Sequence, residues 1–159
     1  MRLGPLARRV GARLRERGLV LATAESCTGG WIAQAVTSIA GSSEWFERGF
    51  VTYSNESKKE MLGVRAATLA RHGAVSEETA REMASGALKH SRAQVAVAVT
   101  GVAGPGGGTR KKPIGLVCFA WAAKRHAPES VVLRFRGGRE SVRRQSVAAA
   151  LRGLLDRLG

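Results

Sequence analysis

Leu19-Val20-Leu21-Ala22-Thr23-Ala24-Glu25-Ser26-Cys27-Thr28-Gly29-Gly30 passes from an apolar run of strand length into a small polar turn closed by two glycines. From Gly30 to Ala40 the chain returns to helical spacing through Ile32, Ala33, Val36 and Ile39. A buried strand, a turn and a helix in that order put Ser26 at the C-terminal edge of a sheet, where ligands of open α/β sheets bind.

Upstream, Leu3, Leu6, Ala7, Val10 and Leu14 recur at spacings of three and four, which predicts an amphipathic helix from Leu3 to Arg17 with arginines on its wet face and Gly18 ending it. Downstream, Gly49 to Tyr53 reads as a second strand, followed by Ser54 or Asn55 capping a helix through Lys58, Met61 and Leu62. Ser76 caps a further helix that starts with Glu77 and Glu78 and runs to about His90. Val95 to Thr100 is the most strand-like run and opens into a glycine-rich loop from Gly101 to Pro113. Ile114 to Ala122 and Ser130 to Phe135 form an antiparallel hairpin, and Glu140 to Leu158 is the last helix. Strands alternating with helices, plus one hairpin, predict a single domain over 1–159: a three-layer α/β/α sandwich with a mixed, mostly parallel sheet.

The bulk properties narrow the function classes. No apolar run approaches the ~20 residues that span a bilayer, and no signal-peptide core follows the early arginines, so a cytoplasmic protein is expected. Cys27 and Cys118 lie in unrelated segments, and no His, Cys, Asp and Glu cluster has metal-ligand spacing, so neither a metal nor another cofactor is expected. The net charge of +14 favours phosphate-bearing ligands. Nucleic acid is a poorer fit, with a single tyrosine and few other aromatics to stack bases and no helix-turn-helix or zinc pattern.

Three loops should meet at the sheet edge. The first carries Ser26, Cys27, Thr28, Gly29 and Gly30, the second Tyr53, Ser54, Asn55 and Lys58, and the third Thr100, Gly101 and Gly104. A serine hydroxyl needs a neighbour to take its proton, and a lysine whose pKa burial lowers can do so, which makes Ser26 and Lys58 a candidate pair. His72, His90 and His126 fall at helix ends or in a turn, away from these loops. Each residue also has a structural reading: Ser26 and Thr28 as helix caps, Lys58 as a solvated lysine, Cys27 as a small buried side chain, Tyr53 and Thr100 as strand-end packing.

Taken together, Ala24 to Gly30, Gly41-Ser42-Ser43, Gly49 to Lys58, Gly73 to Ser76, Thr100 to Pro105, Lys112 to Gly115 and Gly137 to Arg144 resemble the CinA C-terminal domain family, over residues from about 20 to the end. That family also occurs as a stand-alone nicotinamide-nucleotide amidase, and the first ~15 residues match no motif, so the chain looks like the stand-alone form. The resemblance implies hydrolysis of the carboxamide of nicotinamide mononucleotide to nicotinate mononucleotide and ammonia in pyridine-nucleotide recycling. It implies Ser26 as nucleophile, Lys58 as proton acceptor, and Tyr53 and Thr100 assisting. Thr28, Gly29, Gly30, Asn55, Gly101 and Gly104 would line the substrate, with Thr28 and Gly29 N–H groups at the oxyanion and Arg139 or Arg143 on the phosphate. The chain departs from many members at Gly138, where an acid is common, and at Leu116, where a threonine is common. The alternatives are a catalytically silent nucleotide-binding relative or a nucleic-acid-binding one. A homo-oligomer is expected, with the aromatics of Gly41-Ser42-Ser43-Glu44-Trp45-Phe46 as a subunit contact.

Overall fold

The computed structural model describes residues 2–159; Met1 of the expected domain lies outside them. Helix α1 (Leu3–Arg17) buries Ala7, Val10, Gly11 and Leu14 and ends at Gly18, whose φ of 63° lets its N–H reach back to the Arg15 carbonyl. Strand β1 (Leu21–Glu25) is buried along its whole length. It is flanked by β2 (Phe46–Val51) and β3 (Val95–Gly101), both parallel to it. Strand β4 (Leu116–Ala123) runs antiparallel to β3, and β5 (Glu129–Arg134) antiparallel to β4. The sheet order is β2-β1-β3-β4-β5, so β4 alone opposes the other four strands. The sheet is mixed and mostly parallel, as expected.

The alternation Val95-Ala96-Val97-Ala98-Val99 explains the layering. Its valines join Leu21, Phe119 and Trp121 in a core under α1, α2 (Trp31–Thr37) and α6 (Arg139–Leu158). Its alanines join Ala22, Ala24 and Ala120 on the other face, where small side chains let α5 (Glu77–Lys89) sit close through Ala80, Met83, Ala84 and Ala87. Two short helices complete that layer, α3 (Asn55–Leu62) and α4 (Ala66–His72). Among the described residues no helix is long and apolar enough to cross a membrane.

Several boundaries differ from the sequence reading. Strand β2 occupies Phe46–Val51 rather than Gly49 to Tyr53, because its ladder is set by pairing with β1 from Leu21↔Phe46 to Glu25↔Val51. Residues Thr52 and Tyr53 therefore leave the sheet. Helix α4 was not expected: it has seven residues, and the Glu82 carboxylate secures its start by accepting from the Arg65 N–H and the Thr68 hydroxyl. The aromatic loop packs largely against the protein itself. Trp45 is 2% exposed and lies over Gly11, where a Cβ would stand 2.5 Å from the ring, and Phe46 packs on the core. Trp45 therefore faces inward, and Phe46 is half-buried.

Strands β2, β1 and β3 are adjacent and parallel, so their C-terminal ends reach one edge of the sheet. Strand β5 shares their direction and delivers the start of α6 to the same edge. That edge holds the candidate site.

Candidate active site

Ser26 is the first residue past β1, anchored by its N–H donating to the Val99 carbonyl at 3.0 Å. The turn behind it is built on Glu25, which is 1% exposed. Its carboxylate accepts from the Thr28 hydroxyl at 2.5 Å and from the N–H groups of Ile32 and Ala33 at 2.8 and 3.0 Å. Glu25 thus satisfies the first turn of α2 from inside the protein, an anion at the positive end of a helix. Gly29 and Gly30 have φ of 60° and 103°, a backbone that side chains disfavour, and they let the chain double back into the helix.

Lys58 enters from α3, which Ser54 caps by accepting from the Ser57 N–H. The lysine is 1% exposed. Its Nζ lies 3.0 Å from Ser26 Oγ, 2.9 Å from the Thr52 carbonyl and 3.1 Å from the Tyr53 carbonyl. All three partners are uncharged, and burial pushes the Lys58 pKa below the ordinary 10.5. A neutral amine fits this cage: two N–H groups meet the two carbonyls and the lone pair is left for the Ser26 proton. Cys27 is adjacent, but burial pushes its thiol up to about 12, which leaves it protonated at neutral pH.

The pair opens into a cleft of about 180 Å³ lined by Ser26, Cys27, Tyr53, Lys58, Ala74, Val75, Thr100, Gly101, Ala103 and Arg139. The other expected site residues divide. Gly101 forms part of the cleft wall, tight against Val117. Thr100 lines the cleft, but its hydroxyl donates to the Ala74 carbonyl at 2.9 Å and so holds the opposite wall. Tyr53 contributes its main-chain carbonyl to Lys58; its ring is 63% exposed and its hydroxyl accepts from Arg139 Nη2 at 3.3 Å. Arg139 also donates to the Gly104 carbonyl at 2.8 Å, which ties the glycine-rich loop to the rim.

Four of the expected site residues lie against the turn or outside the cleft lining. Thr28 is fully buried, its hydroxyl on Glu25, and it lies outside the cleft lining. The Gly29 N–H donates to the Ser26 carbonyl at 3.1 Å, so it is already engaged within the turn. Asn55 is exposed at the start of α3, outside the cleft lining. Arg143 also lies outside that lining and donates from Nε to the Cys27 carbonyl at 3.1 Å and from Nη2 to the Thr28 carbonyl at 3.2 Å.

The sequence reading passed over Glu25 and Lys112 as working residues. An acid directly following a largely apolar run of strand length was the available signal for Glu25. Lys112 reaches from the glycine-rich loop to the carbonyls of His72, at 2.7 Å, and Val75, fixing the wall that Thr100 also holds. His72, His90 and His126 lie outside the cleft lining.

A larger cleft of about 910 Å³ opens at the opposite edge of the sheet. Among its polar groups, Gln94 bonds Val20 and Arg92, and Arg157 lies 3.9 Å above the Trp121 ring and pairs with Glu129. It contains no hydroxyl nucleophile paired with a base, so the smaller cleft is the better site.

Comparisons with known proteins place the chain in a family. The model of the CinA C-terminal domain matches residues 4–158, so the family's extent includes α1, beyond the region from about residue 20 seen in the motifs. The chain is 57% identical to the nicotinamide-nucleotide amidohydrolase PncC of Escherichia coli K12 over 151 residues, 94% of this chain and 90% of that protein. It is 51% identical to the protein of the same name from Pseudomonas putida, covering 95% of this chain and 94% of that one. The crystal structure of the competence/damage inducible protein CihA from Agrobacterium tumefaciens superposes with a TM-score of 0.95 at 50% identity, covering 97% of this chain and 94% of that chain. By sequence, fold and extent of match, the chain belongs to the CinA C-terminal domain family.

Proposed function

We propose that this protein hydrolyses the carboxamide of nicotinamide mononucleotide to nicotinate mononucleotide and ammonia, with Ser26 as nucleophile and Lys58 as its base. The observation that carries the reading is the 3.0 Å approach of a buried Lys58 Nζ to Ser26 Oγ, inside a cleft that can hold a carboxamide ring. The names of the relatives supply the substrate.

In this reading Ser26 Oγ attacks the amide carbon as its proton passes to Lys58 Nζ. The negative charge on the carbonyl oxygen meets the N–H group of Cys27, which lines the cleft, since that of Gly29 is engaged and Thr28 is fully buried. Lys58 returns the proton to the amide nitrogen, ammonia leaves, and an ester to Ser26 remains. Water then attacks that ester, again giving a proton to Lys58, which passes it to Ser26 Oγ as the ester bond breaks and the carboxylate is released. Arg139, exposed at the rim, is placed to meet the nucleotide phosphate, while the Thr100 and Lys112 contacts keep the far wall in position. The activity belongs to pyridine-nucleotide recycling in the cytoplasm, carried out by one domain.

The test is ammonia release from nicotinamide mononucleotide by the wild type and by Ser26→Ala. The wild type should release ammonia and the folded variant should release none. A variant with retained activity would overturn the assignment of Ser26, and an inactive wild type would favour a silent nucleotide-binding relative.

A further inference from the structure

We infer that Arg143 is a positioning residue for the oxyanion donor, acting through the peptide groups of the nucleophile turn and never touching the substrate. The inference rests on the reading of Ser26 as nucleophile. Arg143 sits in the second turn of α6, more than a hundred residues from Ser26 in sequence, and its guanidinium takes both carbonyls of the Cys27-Thr28 segment. The fork geometry matters, because two donors of one rigid plane meet two successive carbonyls. The plane is itself held, with its carbon 5.5 Å above the Trp31 ring. Gly29 makes room for it: a Cβ there would stand 3.3 Å from Arg143 Nη2.

The consequence follows from the planarity of the peptide unit. In a trans peptide the C=O and N–H point in opposite directions, so the guanidinium on the Thr28 carbonyl turns the Gly29 N–H away from α6 and onto the Ser26 carbonyl, and that bond in turn fixes the direction of the Cys27 N–H. A cation bonded to the carbonyl also polarises the whole amide and makes its N–H a stronger donor. Cys27, unlike the fully buried Thr28, lines the cleft, so its N–H is the donor left for the oxyanion. The Thr28 carbonyl, which also accepts from the Trp31 N–H at 3.0 Å, locks the next peptide so that the Gly29 N–H stays on the Ser26 carbonyl. Arg143 therefore sets the direction of a donor aimed at developing charge, which a phosphate ligand would not do.

The experiment compares wild type, Arg143→Lys and Arg143→Met by the rate at which a fluorophosphonate labels Ser26, read by intact mass, and by kcat and KM for nicotinamide mononucleotide. Labelling needs the oxyanion donor but no nucleotide, so it is independent of the substrate assignment. Losing one oxyanion donor outright costs about 100-fold or more. Here the donor is misdirected rather than removed, so labelling and kcat should fall on the order of tenfold in Arg143→Lys and further in Arg143→Met, with KM little changed. Added ethylguanidinium should restore part of the rate to Arg143→Met, an effect that a purely structural role would not give. Unchanged labelling in folded Arg143→Lys overturns the inference, as does a rise in KM at constant kcat, the signature of a phosphate ligand. A wild type that Ser26 labelling fails to mark removes the nucleophile reading and this inference with it. A wild type that is labelled in an Arg143-dependent way yet releases no ammonia upholds the inference and rejects only the substrate.

Discussion

Replacing Glu25 should reveal how much of the nucleophile turn depends on one buried carboxylate. In Glu25→Gln the amide oxygen can still accept from the Thr28 hydroxyl and the Ile32 N–H, now at 2.5 and 2.8 Å from Oε1. The new NH2 group must then face the Ala33 N–H, which lies 3.0 Å from Oε2, donor against donor. The variant loses a charge-assisted bond, worth about 2 kcal/mol, and the interaction of an anion with the start of α2, worth about 0.5 kcal/mol. The opposed donors add to this, so destabilisation near ~3 kcal/mol is expected, which for a chain of this size lowers Tm by roughly 6–12 °C. Glu25→Ala leaves two N–H groups and a hydroxyl without partners and should cost about 5 kcal/mol. Equilibrium urea denaturation at pH 7 measures both, and kcat should fall with each because Ser26 follows Glu25 directly in the chain. A cost for Glu25→Gln below about 1 kcal/mol would refute the argument, as would Glu25→Ala proving the milder change.

Further predictions concern the neighbouring groups. Because burial lowers the Lys58 pKa, kcat/KM should rise with pH along a limb centred below 10.5, and a limb at or above that value would contradict the cage of two carbonyls and a serine. The unfolded chain binds the proton that the folded one has released, so stability should also rise with pH between the lowered value and 10.5. Burial pushes the thiols of Cys27 and Cys118 up to about 12 and about 11, so at pH 8 iodoacetamide should modify neither in the native protein and both in urea. Gly86→Ala would place a Cβ 2.0 Å from the Leu62 carbonyl oxygen, a backbone atom at the end of α3. A loss of about 3 kcal/mol in urea denaturation is expected, with activity falling as the helix that carries Lys58 shifts.

The parts of the fold that were legible in the sequence are those whose pattern is long and regular. The apolar stripe of α1, the Val-Ala alternation of β3 and the C-terminal helix each bury one face, and their periods are visible in the residues alone. The register of β2 was not legible, because Val51 ends the strand only by standing opposite Glu25. Helix α4 escaped for a similar reason, since Glu82, from another helix, holds its start. At the site, loop convergence could be inferred from strand order, and the structure brings Ser26 and Lys58 together. What residue types do not reveal is which atom of a residue faces the cleft. Tyr53 works through its carbonyl, Thr28 turns inward to Glu25, and Arg143 bonds the turn from behind. Those assignments depend on contacts between distant segments, and strand or helix periodicity carries no trace of them.

The central claim is that an ester to Ser26 forms during turnover. Partitioning with hydroxylamine tests it: wild-type protein is given nicotinamide mononucleotide with increasing hydroxylamine, and carboxylate, hydroxamate and ammonia are measured together. An acyl-enzyme predicts that hydroxamate appears at the expense of carboxylate, and that Ser26→Ala forms neither. Ammonia release without any hydroxamate, retained in Ser26→Ala, would mean that water attacks the amide directly and would contradict the account.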